Sequence, residues 1–260
     1  MRFNEQRELY RLEELAETLH GENGCPWDRK QTHQSLKKYL IEETYEVIDA
    51  IDSGSPDKLK EELGDLLYQV YAHCRVSNSF KIDDVAKMII QKLITRHPHV
   101  FGEEVADTPD EVADKWERIK KKERKDKKIL EGVPAHLPAL LKAYRVQEKV
   151  SRAGFDFPDI SDTVMKLEEE LEELKEAVKN GNRAEIEDEF GDILFSIVNI
   201  ARFASIDPEQ SLRNAVAKFT SRFNKVEDMV DNSGKSFDDY TMEQLDKMWE
   251  KAKKHHPASF

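Results

Sequence analysis

One pattern occurs twice in this chain, and it limits the fold more than any other feature. Glu42-Glu43-Thr44-Tyr45-Glu46 is followed, sixteen residues after Glu46, by Glu62-Leu63-Gly64-Asp65-Leu66-Leu67. Glu169-Glu170-Leu171-Glu172-Glu173 is followed at the same spacing by Glu189-Phe190-Gly191-Asp192-Ile193-Leu194. Each shared position is displaced by 127 residues, Glu43 to Glu170 for instance. Two copies of one module, each nearly half of the 260 residues, account for this simply.

The module is helical. Apolar residues recur with a period near 3.6 almost end to end, and no segment shows the strict alternation of a strand. The spacing predicts helices at about 4–19, 32–52, 56–78, 82–96, 109–127, 138–151, 161–179, 183–204, 208–231 and 242–254. Ser55-Pro56 and Asp207-Pro208 each read as an N-cap followed by proline in the first helical position. Thr108 with Glu111 and Thr241 with Gln244 read as capping boxes. With only 10 glycines and 9 prolines, the chain has few turn residues for a sandwich of strands. The expected fold is therefore all-α, as two tandem helical-bundle modules. Gly132, Pro134 and Pro138 follow the basic run Lys120–Lys128, which sets the expected boundary between domains 1–131 and 132–260. The lysine run itself reads as a solvated helix end favoured by the helix dipole.

Composition excludes some functions. A net charge of −12 argues against a general nucleic-acid surface, which needs clustered Lys and Arg. No stretch approaches the roughly 18 apolar residues of a membrane span. Two cysteines without a Cys-x-x-Cys pair, and a charged N-terminus unlike a signal peptide, fit a cytoplasmic protein.

The repeated carboxylates carry the chemistry. Residues three apart share one helix face, so Glu43 neighbours Glu46, and Glu62 neighbours Asp65. They border apolar stripes formed by Leu40, Val47 and Ile51 on one helix and by Leu59, Leu66 and Val70 on the other. Glu170, Glu173, Glu189 and Asp192 repeat the layout beside Leu167, Leu174, Ile186, Ile193 and Ile197. Packed antiparallel through these stripes, two such helices bring four carboxylates to the edge of a core. Carboxylates so close repel one another unless they are protonated or paired with cations. Oxygen ligands alone favour Mg²⁺, or Mn²⁺ in its place, over zinc. A single acidic run is usually a solvated face, as Glu168 and Glu172 are expected to be, but the duplication at fixed spacing favours a site. Glu17-x-x-His20 and His97-Pro98-His99 are weaker motifs, the second read as a helix-terminating loop.

Cations follow in each half. Lys92 and Arg96, then Trp116 and Lys120, correspond to Lys218 and Arg222, then Trp249 and Lys253. Each pair shares a helix face, and a triphosphate complexed to Mg²⁺ still needs positive charge along its length. The tryptophans are candidates to stack on a base.

At this point the chain resembles the MazG nucleoside triphosphate pyrophosphohydrolases, as a tandem over nearly its whole length. The carrying motif is Glu-Glu-x-x-Glu then Glu-x-x-Asp, present twice. Gly24-Cys25-Pro26-Trp27-Asp28, Arg96-His97-Pro98-His99-Val100-Phe101 and Gly154-Phe155-Asp156 support it. The resemblance implies Mg²⁺-dependent hydrolysis of a nucleoside triphosphate to the monophosphate and pyrophosphate, an all-α fold and a homodimer whose subunits complete each other's bundles. By position it makes Glu170, Glu173, Glu189 and Asp192 catalytic metal ligands, and Lys218, Arg222, Trp249 and Lys253 nucleotide-binding residues. Glu43, Glu46, Glu62 and Asp65, with Lys92, Arg96, Trp116 and Lys120, hold the same places in the first half. Alternatives are a dUTPase-like or damaged-nucleotide-cleaning hydrolase, or a first half that binds nucleotide without cleaving it.

Overall fold

A computed structural model describes residues 8–109, 111–112, 115–116, 118–119 and 128–254. Among the described residues there is no strand, and the chain divides into two compact units, 1–125 and 126–260.

The first unit contains α1 (Glu8–His20), α2 (His33–Asp52), α3 (Pro56–Arg75) and α4 (Ile82–Arg96), then a single turn at Pro98–Phe101. The second contains α5 (Ala139–Ser151), α6 (Ile160–Asn180), α7 (Arg183–Phe203), α8 (Pro208–Asp231) and α9 (Met242–Lys254). These helices fall close to the expected ranges. Helical residues recur between 109 and 119, but most of the expected 109–127 helix, including Lys120, lies outside the described residues.

In each unit the centre is a hairpin of two helices some twenty residues long, α2 with α3 and α6 with α7. Local chemistry sets the hairpin length. Thr32 and Asp159 cap the first helix of each pair, their side chains accepting from Ser35 N and from the Ser161 and Asp162 amides. Ser55 and Asn182 cap the second helix of each pair. Between the helices the chain turns through Gly54 and Gly181, at φ of +65° and +67°, a left-handed conformation that costs a residue with a Cβ. Further on, Asp207 accepts from Gln210 N with Pro208 in the first turn, and Thr241 and Gln244 form a reciprocal box. The Thr108 motif departs from expectation. Thr108 Oγ1 accepts from Glu111 N, but the Glu111 carboxylate reaches back one residue further, to Asp107 N.

α1 packs on α3, and α5 packs on α7 and α8, with α9 on α8. Buried residues line these contacts: Ala16, Leu36, Ala50, Tyr71 and Ala72 in the first unit, and Ala177, Ile193, Val198, Val226 and Val230 in the second. The stripes expected to be core are incompletely covered, with Ile51 56% and Ile197 44% exposed. No residue of α4 is buried.

Candidate metal centre

The hairpins deliver the carboxylates where helical spacing places them. In the first unit Glu43, Glu46 and Glu62 each offer an oxygen within 4.8 Å of the others, and in the second Glu170, Glu173 and Glu189 do the same. The two triads occupy corresponding positions. Asp65 and Asp192, the fourth expected members, stand one turn beyond Glu62 and Glu189 and are exposed. They still act on their clusters: Asp65 lies among the charges that raise Glu43 and Glu62, and Asp192 among those that raise Glu189. Glu168 and Glu172 are exposed, with Glu172 on Lys175 at 2.6 Å.

Crowding has its expected electrostatic result. Glu43 binds its proton more tightly than an ordinary glutamate, first through burial and then through the charges of Asp65 and Glu46. Glu62 is raised by desolvation and then by Glu46, and Glu189 by desolvation and then by Glu173 and Glu170. A cluster of this kind stores repulsion that a bound cation relieves.

Two partners of the clusters were not visible in the motif. Gln69 on α3, itself buried, points its amide Nε2 at Glu43 Oε1, 3.4 Å away. Lys166 on α6 sets its ammonium 2.8 Å from Glu170 Oε1 and 2.8 Å from Glu169. Those contacts raise the lysine's proton affinity, through the hydrogen bonds to Glu169 and then to Glu170. Lys166 escaped notice because a lysine four residues before a glutamate reads as an ordinary helix-surface pair. Only burial of the Glu170 side chain, 7% exposed, distinguishes it.

The expected nucleotide-binding residues among the described ones stand outside the carboxylate hairpin of each unit. In the second, the Trp249 ring lies 5.0 Å from Phe219, which stacks on Phe223, which stacks in turn on Phe237. Lys218 is exposed and Arg222 half-buried on α8, and Lys253 pairs with Glu250 on α9. In the first unit the Arg96 guanidinium lies 5.4 Å from the Trp116 ring centre, and the His97 ring meets Trp116 edge-on at 5.0 Å. Lys92 is exposed on α4. In the second unit the expected nucleotide-binding residues stand on α8 and α9, which pack on each other, with α8 also on α5, whereas the triad stands on α6 and α7.

The weaker metal motifs have structural partners. Glu17 pairs with Arg75 at 2.6 Å, and His20 packs beside Asp28. His97 and His99 rest ring against ring at the end of α4.

Comparison with known proteins fits this geometry. The family model of the MazG nucleotide pyrophosphohydrolase domain matches twice, over residues 31–101 and 152–227, so each match spans one carboxylate hairpin. The chain belongs to this family and is a nucleotide pyrophosphohydrolase with two MazG domains. It is 47% identical to the nucleoside triphosphate pyrophosphohydrolase/pyrophosphatase MazG of Thermotoga maritima, over 93% of this chain and 94% of that one. It is 38% identical to the nucleoside triphosphate pyrophosphohydrolase of Escherichia coli K12, over 90% of this chain and 92% of that one. It also matches the uncharacterized protein YabN of Bacillus subtilis at 42% identity, over 92% of this chain but 50% of that longer protein. Among the described residues no helix is long and apolar enough to cross a membrane.

Proposed function

We propose that the chain hydrolyses nucleoside triphosphates to the monophosphate and pyrophosphate, using Mg²⁺ held by Glu170, Glu173, Glu189 and Asp192, and by Glu43, Glu46, Glu62 and Asp65. The observation that carries this reading is the pair of carboxylate triads with oxygens within 4.8 Å, at corresponding places in two copies of one hairpin. The donor set fits the ion: all ligands are oxygens, the charge is strongly negative, and no sulfur or imidazole enters either triad. Mn²⁺ would satisfy the same ligands.

A bound ion of this kind lowers the pKa of water and steadies charge on phosphoryl oxygens. The chain supplies the rest. A cluster carboxylate accepts the proton of the water that attacks the α-phosphorus, as the bond from that phosphorus to the pyrophosphate oxygen breaks. Lys218, Arg222 and Lys253, or Lys92, Arg96 and Lys120, offset the charge of the triphosphate. Trp249 and Trp116 offer faces for the base.

A second copy of the chain belongs to this reading, because each unit leaves much of its apolar surface bare. On α4 Met88 is 74% and Ile90 56% exposed, and on α8 Val216 and Phe219 are each 58% exposed. Apolar side chains exposed together on one helix in this way are a mark of interfaces. A homodimer would cover them and bring the cations of one chain toward the carboxylates of the other. A monomeric mass in solution at micromolar concentration would remove this part of the reading.

The decisive experiment follows monophosphate and pyrophosphate release from each common NTP and dNTP, with and without Mg²⁺. Metal-dependent pyrophosphate release is expected. Phosphate release in its place, or release indifferent to the metal, would overturn the reading. Activity restricted to dUTP or to damaged nucleotides would narrow the substrate class and leave the chemistry standing.

A further inference from the structure

The two triads match in position but differ in what holds their most buried carboxylate. In the first unit that group is Glu43, and its Oε1 faces the neutral amide of Gln69, which reaches across from α3. In the second it is Glu170, and its Oε1 faces the ammonium of Lys166 from one turn earlier on the same helix. The exchange is reciprocal. Tyr39 stands where Lys166 would fall in the first unit, edge-on to Trp27 with ring centres 5.5 Å apart, and the small Ser196 stands where Gln69 would fall in the second. Each half thus has one donor on the same oxygen, supplied from a different place and with a different charge.

Tying one oxygen of a carboxylate turns the other toward the remaining ligands, which is how outer-sphere partners orient metal-binding groups. The charge of the partner has a second effect. An amide adds no charge at Glu43, and the lysine nearest the first cluster, Lys58, acts on Glu62 through its field without being bonded to a triad oxygen, whereas the ammonium of Lys166 sits directly on Glu170 Oε1 and repels a cation there. We propose that Gln69 and Lys166 are the positioning residues of the two clusters, and that the first cluster therefore binds bare Mg²⁺ more tightly than the second. The inference rests on reading both clusters as metal sites. Its consequence for the enzyme is that the second site depends more on a nucleotide to bring the ion in, the triphosphate adding the negative charge that Lys166 cancels.

The test measures Mg²⁺ alone, without nucleotide, by calorimetry on the full chain. Glu173→Ala leaves only the first cluster and Glu46→Ala only the second. The first cluster is expected to bind at least about tenfold tighter, the lower end of what outer-sphere partners contribute. Adding Lys166→Gln to the Glu46→Ala protein keeps a donor and removes the charge, and should tighten the second cluster by about tenfold. Lys166→Arg should leave it weak. Tyr39→Lys in the Glu173→Ala protein places an ammonium at the corresponding half-buried position and should weaken the first cluster comparably. Unfolding curves matching those of the parent proteins would show that each variant is folded. Equal affinities of the two clusters, or no tightening with Lys166→Gln in a folded protein, would overturn the inference while leaving the metal sites intact. No Mg²⁺ binding to the wild-type chain would overturn both.

Discussion

The two halves share a skeleton and differ in what surrounds it. The carboxylate triads, the hairpin glycines at 54 and 181 and the caps at 32, 55, 159 and 182 all correspond. Around them the first unit is rich in titratable groups where the second is neutral. His20 corresponds to Gln147, Tyr68 to Phe195 and His73 to Ile200. Gln147 donates to the Phe195 carbonyl at 2.8 Å, whereas His20 keeps its Nε2 buried without a partner. The His33 and His73 rings stack with their Nδ1 atoms 2.9 Å apart, and Phe80 also stacks on His33. The carboxylate hairpin is thus common to both units, while the layer behind it differs in its chemistry.

The sharpest way to break the comparison is to disable one half at a time. Glu46→Ala and Glu173→Ala should each abolish hydrolysis in their own half, by more than the roughly hundredfold that loss of an outer-sphere partner costs. If both halves work, each variant keeps the contribution of the other half and the double variant keeps none. If only Glu173→Ala silences the chain, the first half binds without turning over. Full activity in the double variant would sink the assignment of the ligands.

A smaller contrast concerns how each unit ties α1 or the loop before α6 to its hairpin. Arg202 binds Asp156 through both terminal guanidinium nitrogens and also donates to Asn199, with the arginine side chain 12% exposed. Arg75 in the corresponding place makes one bond to Glu17, and those side chains are 31% and 53% exposed. Breaking a shielded pair leaves a charge without a partner, whereas an exposed pair is screened by water. Arg202→Ala should cost the second unit about 3 kcal/mol, and Arg75→Ala should cost the first about 0.5 kcal/mol. Hydrogen exchange resolved by peptide reads the two units separately, and equal losses would contradict the contrast.

The histidines separate the units by pH. Burial lowers the pKa of His20, as does the nearby charge of Arg75, and burial and His33 lower that of His73. Between the lowered folded values and the ordinary 6.5, the unfolded chain binds protons that the folded unit does not, so stability falls as pH falls through that window. The raised carboxylates act the other way, from their ordinary 4.5 upward, Glu62 and Glu189 in both units and Glu43 in the first alone, so Glu43 opposes the histidines at the acid end and the contrast is read at the upper end of the window. Acidification from pH 7 to about 5.5 should therefore destabilise the first unit more than the second, and His73→Leu should flatten the first unit's response. A response shared equally by both units would remove the histidines as its cause.

The skeleton was legible in the sequence because it depends on local rules. Helical spacing puts Glu43 beside Glu46, proline after serine starts α3, and duplication separates a ligand set from ordinary surface charge. What surrounds the site depends on contacts between elements, which periodicity does not encode. Gln69 is a neutral residue on a facing helix, and its role appears only when α2 and α3 are packed. Lys166 satisfies the rule for a solvated pair and departs from it only through the burial of Glu170. The cations were legible as residue types in register, but the contact of Phe219 with Trp249 follows from how α8 packs on α9.

The smallest effects test the part of the comparison that should show no difference. Ser55 Oγ accepts from Lys58 N at 3.4 Å, and Asn182 Oδ1 accepts from Ala184 N at 3.2 Å, each satisfying a helix amide that would otherwise have no partner in the protein. Both caps stand in exposed turns next to a left-handed glycine, so water partly replaces either one. Ser55→Ala and Asn182→Ala should each cost about 1 kcal/mol, with pyrophosphate release unaltered, because the caps lie at the turn ends of α3 and α7 and the ligands lie further along. A much larger loss at Asn182 would mean that the second hairpin relies on its turn for stability where the first does not. The repeat would then be one of ligand geometry, stabilised differently in each half.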